Sequence, residues 1–217
     1  MPPLLWRSFI SLSPPKKNTI DLDGHVSYGT VTAKAVREWR DSTPPGFKIA
    51  IKGHKYITHM VIGWGIFELG DKLGPILWQL DPKFRFNAQR AALFLELLPK
   101  TLGQAAELAE GCSHQASCPT LRHVSQHLSK RGREAVTSLP AGVDPSTPIQ
   151  YAFEPRHPSR DCDEFYELLR LHNVACCISE AAPGSWHCFH RIDTSDALVY
   201  VRLHGNWETY CRSAAAL

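Results

Sequence analysis

With 217 residues, 43% of them hydrophobic and 21% charged, the chain has the make-up of an ordinary globular protein, long enough for one large domain or two small ones. A net charge of +3 is too small and too spread out to demand nucleic acid, and no apolar run approaches the ~18 residues of a membrane span. Seven cysteines, an odd number without a CxxC pair and with Cys176 and Cys177 adjacent in an apolar run, point to buried thiols in a reducing cytoplasm and not to a disulfide framework.

Residues 1–30 carry prolines, Asp21, Asp23 and Gly24 with little periodicity, and the N-terminus has no small-residue cleavage site. Residues 1–26 are therefore read as a poorly ordered leader, and 27–217 as one domain. Ala35, Val36 and Trp39 at helical spacing predict a helix over Thr32 to Arg40, with Thr32 as its cap and Thr43-Pro-Pro-Gly46 as its end. Phe47 to Lys52 reads as a strand, and Gly53 to His59 as the loop after it. Ile66 to Lys72 reads as a helix end. Leu73 to Leu80 is the second strand, closed by Asp81-Pro82. Asn87 can cap a helix over Ala88 to Leu98, and Gln104 to Glu110 is a further helical piece. Residues 112–148, rich in His, Ser, Gly and Pro, read as an irregular insertion with one short helix near Thr120 to Leu128. Ile149 to Glu154 is the third strand, Cys162 to His172 an amphipathic helix, Val174 to Ile178 a fourth strand and Ala197 to His204 a fifth.

Strands that alternate with helices and are almost continuously apolar predict an α/β fold with a parallel sheet covered by helices. The polar groups gather where these strands stop. The first ends at Lys52, the second at Gln79, the third at Glu154, Arg156 and His157, the fourth at Ser179-Glu180, and the fifth at Arg202 and His204. In parallel α/β folds the C-terminal strand ends share one face, and ligand sites form there. Polarity beginning at a strand end explains one or two of these residues. It explains Arg202 and His204 poorly, because they alternate with Val201 and Leu203 inside the strand pattern.

Lys52, Arg156 and Arg202 are three cations against one clear anion, Glu154, a balance that suits a phosphate, a carboxylate or a nucleic-acid backbone. Two alternatives stay open. His59, His157, His204 and Glu154 are acceptable metal ligands, although no HxH or HExxH spacing supports a metal. Glu154 with Arg156 can also be a plain buried ion pair. Dinucleotide, P-loop and hydrolase-elbow motifs are missing from the sequence. His123 and His127, with Cys112 and Cys118 upstream, lack a completing zinc pattern, and His187 and His190 around Cys188 read as solvated loop residues.

Phe47-Lys-Ile-Ala-Ile-Lys52, Tyr56-Ile-Thr-His59, Leu69 to Leu80 with Phe84-Arg-Phe86, Glu154-Pro-Arg-His-Pro158 and Val199 to Gly205 occur in one order that resembles the YecE-like family, domain of unknown function 72. The resemblance covers about residues 27–210. It implies a TIM-barrel-like (β/α) fold with parallel strands, outer helices and a cleft at the strand C-termini, and brings no settled activity with it. The departures are a shorter stretch between His59 and Leu69, Asp81 where a proline is usual, and a missing last helix, strand and helix. Five strands cannot close an eight-stranded barrel, so an incomplete barrel, truncated at both ends relative to the family, is expected.

The expected function is binding of a phosphate-bearing or other anionic small molecule, or a nucleic-acid phosphate, in a cationic cleft, with no membrane involved. Lys52, His59, Gln79, Arg156, His157 and Arg202 would contact the ligand. If the cleft is hydrolytic, Glu154 would act as general base or metal ligand and His204 as its proton partner, with Arg156 and Arg202 stabilising charge. A non-catalytic binding protein or an inactive fragment of the family is the alternative. The sequence names no cofactor.

Overall fold

The computed structural model describes residues 33–53, 66–114, 138–180 and 187–203. The elements in chain order are α1 (Ala33–Ser42), β1 (Ile49–Gly53), a 3-10 helix (Ile66–Lys72), β2 (Leu73–Gln79), α2 (Ala88–Glu96), α3 (Leu102–His114), β3 (Tyr151–Glu154), a 3-10 turn (Pro158–Arg160), α4 (Asp163–Leu171), β4 (Ala175–Cys176), β5 (Ile178–Glu180) and β6 (Val201–Leu203). Four strands hydrogen-bond in the order β1-β2-β3-β4, and β5 pairs with β6. The pairs β3–β4 and β5–β6 are parallel, as expected for an α/β fold. Among the described residues the strands do not close into a barrel. The leader, the helix cap at Thr32, His59, the helix near Thr120 to Leu128 and His204 all lie outside the described residues.

The chain divides into two compact units, residues 1–76 with 99–149 and residues 77–98 with 150–217. In the first, α1 lies against the 3-10 helix. Val36 is buried there, as are Phe67 and Leu69. Arg37 Nη1 donates to Glu68 Oε1 at 2.6 Å, and Lys72 Nζ donates to the Thr43 carbonyl at 2.6 Å. Both contacts fix the end of α1 where the two prolines forbid further helix. Gly74 of β2 packs directly on β1: a Cβ there would stand 2.9 Å from the Ile49 carbonyl oxygen. Only a residue without a side chain lets the two backbones approach so closely. Further along, the Leu102 N–H donates to the Thr147 carbonyl and the Ile149 N–H to the Lys100 carbonyl, which ties the start of α3 to residues 145–149.

In the second unit, alternation along each strand separates two environments. Trp78 and Phe153 point to the helical side. Trp78 meets Phe94 of α2 edge-on at 5.3 Å, Phe94 meets Phe153 at 5.6 Å, and Phe153 meets Phe165 of α4 at 6.5 Å. Phe94 is half-buried, while Trp78, Phe153 and Phe165 are buried, each contributing roughly 2–3 kcal/mol. The opposite side carries Leu77, Ala152, Ala175, Cys177 and Leu198, with Tyr200 packed against them. Asn87 caps α2 by accepting from the Arg90 N–H, as the sequence predicts. Helix α4 buries Phe165, Tyr166 and Leu169 and ends at Leu171; beyond its cap His172, Asn173 with a φ of 53° reverses the chain into β4.

One predicted strand is corrected. Val174 to Ile178 reads as a single apolar strand, but it is divided into β4 and β5. The change of partner at Cys177 accounts for this. The Cys177 N–H donates to the Phe153 carbonyl at 2.6 Å, whereas the next N–H, of Ile178, donates to the Tyr200 carbonyl at 2.9 Å. A run of apolar residues carries no mark of where its neighbour changes. The fifth strand is likewise shorter than predicted, Val201–Leu203.

Candidate functional site

The helix-averted face of the second unit changes character toward the strand C-termini. Two residues beyond Leu77 on β2 comes Gln79, and two beyond Ala152 on β3 comes Glu154. Two beyond Cys177 comes Ser179 on β5, and two beyond Tyr200 comes Arg202 on β6. The period of two that places the apolar residues on one face thus places these four polar residues on the same face, one step further along.

Glu154 is the centre. Its side chain is fully buried. Arg156 approaches Oε1 with two nitrogens, Nε at 2.8 Å and Nη2 at 2.7 Å. Arg202 Nη1 donates to Oε2 at 2.6 Å. Gln79 Nε2 donates to Oε1 at 3.0 Å and to Oε2 at 3.1 Å. The backbone adds to the frame: the Leu80 N–H donates to the Glu154 carbonyl, and the His187 N–H donates to the Arg156 carbonyl.

Burial pushes the Glu154 carboxyl toward its neutral form, but Arg202 and Arg156 outweigh burial and hold it below the ordinary value of 4.5. Glu154 is therefore an anion at neutral pH, held between the two guanidiniums. The two arginines are mostly covered, with 14% and 13% of their side chains exposed. Burial drives the neighbouring Cys177 thiol up, helped by the Glu154 charge, and drives the Tyr200 phenol up to about 12. Both stay neutral and serve as packing beneath the charges.

Of the residues singled out from sequence, Gln79, Glu154, Arg156 and Arg202 come together. His157 plays a different part. Its Nδ1 accepts from the Ser159 N–H at 3.0 Å and caps the short turn Pro158–Arg160. Lys52 stands near the end of β1 in the first unit, half-buried. His59 and His204 lie outside the described residues. No group of three or more His, Cys, Asp or Glu side chains suited to a metal occurs among the described residues.

Two features escape a reading of the sequence. Ser179, seen there only as a strand exit, is fully buried beside Arg202 in the β5–β6 register. The alternation of Cys177 and Ser179 is the available signal. His187, expected to be a solvated loop residue, sits with its Nε2 2.8 Å from Asp161 Oδ2, and Asp161 also accepts from the Tyr166 hydroxyl at 2.5 Å. The Tyr166 bond, and then the His187 bond, hold the Asp161 carboxyl below its usual range. No sequence spacing connects residues 161 and 187.

An α/β protein with parallel strands, carrying a buried charge cluster at its strand C-termini, is the class that fold and site define. The chain belongs to the family described as Protein of unknown function DUF72, whose model matches residues 18–217. Among solved structures it is similar to a DUF72 family protein from Thermotoga maritima MSB8, with 22% identity, a TM-score of 0.44, and coverage of 85% of this chain and 59% of that one. It is also similar to a DUF72 family protein from Enterococcus faecalis V583, with 15% identity, a TM-score of 0.48, and coverage of 82% and 62%. The chain thus spans less than two thirds of the length of these two proteins. No curated protein matches it. No helix among the described residues is long and apolar enough to cross a membrane.

Proposed function

We propose that the strand ends of the second unit bind a phosphate-bearing or other anionic small molecule, with Arg156 and Arg202 supplying the charge and Glu154 with Gln79 holding them in place. The single observation that supports this is a pair of arginines oriented by one buried carboxylate. A guanidinium oriented in advance loses little freedom when an oxyanion arrives. On this reading Glu154 is a positioning residue. Both of its oxygens are engaged and its carboxyl is held low, which makes it a poor general base. Binding is therefore favoured over hydrolysis. A cytoplasmic setting fits the free, buried thiols of Cys176 and Cys177.

Isothermal titration of inorganic phosphate into the purified chain tests the proposal. The wild-type chain should bind, and Arg202→Lys, which keeps the charge but loses the planar fork, should bind at least about tenfold more weakly. No heat of binding at millimolar phosphate would sink the reading.

A further inference from the structure

We infer that Ser179 is a further ligand residue of this site, its hydroxyl donating to an oxygen of a bound phosphoryl group alongside Arg202. The inference rests on the anion-binding reading above and names the group that reading would recognise.

Ser179 is fully buried, and its Oγ has no hydrogen-bond partner among the described residues. Buried hydroxyls nearly always have one, so an orphan calls for an explanation. Among the described residues two other buried polar atoms share this condition, Trp78 Nε1 and Arg160 Nε. Trp78 lies on the helical side against Phe94, and the remaining guanidinium nitrogens of Arg160 hold the Phe84 and Arg85 carbonyls. Of the three, Ser179 is the one on the face that carries the charge cluster.

Its placement follows from register. In the parallel β5–β6 pair, Ser179 stands opposite Arg202, and residues paired in register on parallel strands project to the same side. Arg202 projects toward Glu154. Cys177, two residues before Ser179, packs with Tyr200, two residues before Arg202, and its thiol senses both Glu154 and Arg202. The Ser179 hydroxyl therefore sits one step beyond Cys177 on the face where the two arginines converge on Glu154.

The chemistry of the donors selects the ligand group. Arg156, Arg202 and Ser179 are three donor side chains on three separate segments. A phosphoryl group offers three oxygens to three donors, whereas a carboxylate offers two. A neutral hydroxyl also adds a donor without adding charge.

Ser179→Ala tests the inference. Inorganic phosphate is titrated into wild-type and variant chains by calorimetry, and each ligand-free chain is melted separately. The variant should bind phosphate roughly tenfold more weakly, the loss of one hydrogen bond to a charged group. Its ligand-free Tm should equal or exceed that of the wild type, because the hydroxyl has no partner to lose. Equal phosphate affinity in the two chains overturns the Ser179 assignment and leaves the anion reading standing. A ligand-free Tm lowered by several degrees assigns the hydroxyl to the fold and also overturns it. Failure of the wild-type chain to bind phosphate overturns the anion reading and the Ser179 role together.

Discussion

Arg202 Nη1 donates to Glu154 Oε2 at 2.6 Å, joining two residues 48 positions apart. The bond links β6 to β3 through a carboxylate that also receives Arg156 and Gln79. Replacing Glu154 by Gln keeps the shape and removes the charge, leaving two largely buried guanidiniums without this counter-ion. Breaking a buried pair in this way costs roughly 3–5 kcal/mol, so Glu154→Gln should lose about 3 kcal/mol in urea unfolding. The same variant separates positioning from charge. It makes the cluster more positive, yet phosphate affinity should fall, because the arginines lose the group that orients them. A rise in affinity would show that Glu154 acts only by repulsion.

The pH dependence follows from the direction of the Glu154 shift. Its folded carboxyl is held below the ordinary 4.5 by Arg202 and Arg156 against the opposing effect of burial. Its contribution to stability is therefore fully present above the unfolded value and is lost as pH falls through the lower folded value. Wild-type stability, followed by denaturant melts from pH 7 to pH 3, should drop below about pH 4.5 more steeply than that of Glu154→Gln. Parallel curves would remove Glu154 as a source of acid sensitivity.

Gln79 Nε2 serves both Glu154 oxygens at once. Gln79→Leu, similar in volume and without a donor, should cost about 1.5–3 kcal/mol, the range for a hydrogen bond to a charged group. It should also move the acid transition upward, because the carboxylate loses one of the groups that favour its charged form. Guanidinium melts at pH 7 and pH 4 check both effects.

Gly74 tests the packing of the first unit. An added Cβ would meet the Ile49 carbonyl oxygen at 2.9 Å, and the obstacle is backbone, which cannot rotate away. Gly74→Ala should destabilise by about 1–3 kcal/mol. A variant of unchanged stability, measured by thermal melts, would show that β1 and β2 can separate locally.

Thiol reactivity tests the burial of β4. Burial raises Cys176 to about 12 and carries Cys177 higher still, so at pH 8 neither presents appreciable thiolate. In alkylation followed by peptide mass spectrometry, the half-buried Cys162 and Cys188 should be labelled first, and Cys176 and Cys177 only after denaturant is added. Early labelling of Cys177 would mean that the face beneath the charge cluster opens readily.

The amino-acid sequence by itself determined the local elements and the polarity of the strand ends. Apolar runs bounded by prolines, the Asn87 cap and the helical spacing of Phe165 and Leu169 depend on neighbours within a turn or two. They therefore predicted α2, α4, β2 and β3 nearly as they stand. The same local logic put Glu154 and Arg156 on one face, because strand alternation needs no tertiary information. Partner choice was decided by the tertiary structure alone. Nothing local tells the run from Val174 that its partner changes at Cys177, or that Asp161 meets His187. Nor does any spacing reveal that Gln79, Glu154 and Arg202 meet around one carboxylate, since a bond across 48 or 75 positions is fixed by which strands lie side by side. Sheet register, set by long-range pairing, turned a row of separate polar strand ends into one buried charge cluster with the unpartnered Ser179 hydroxyl beside it.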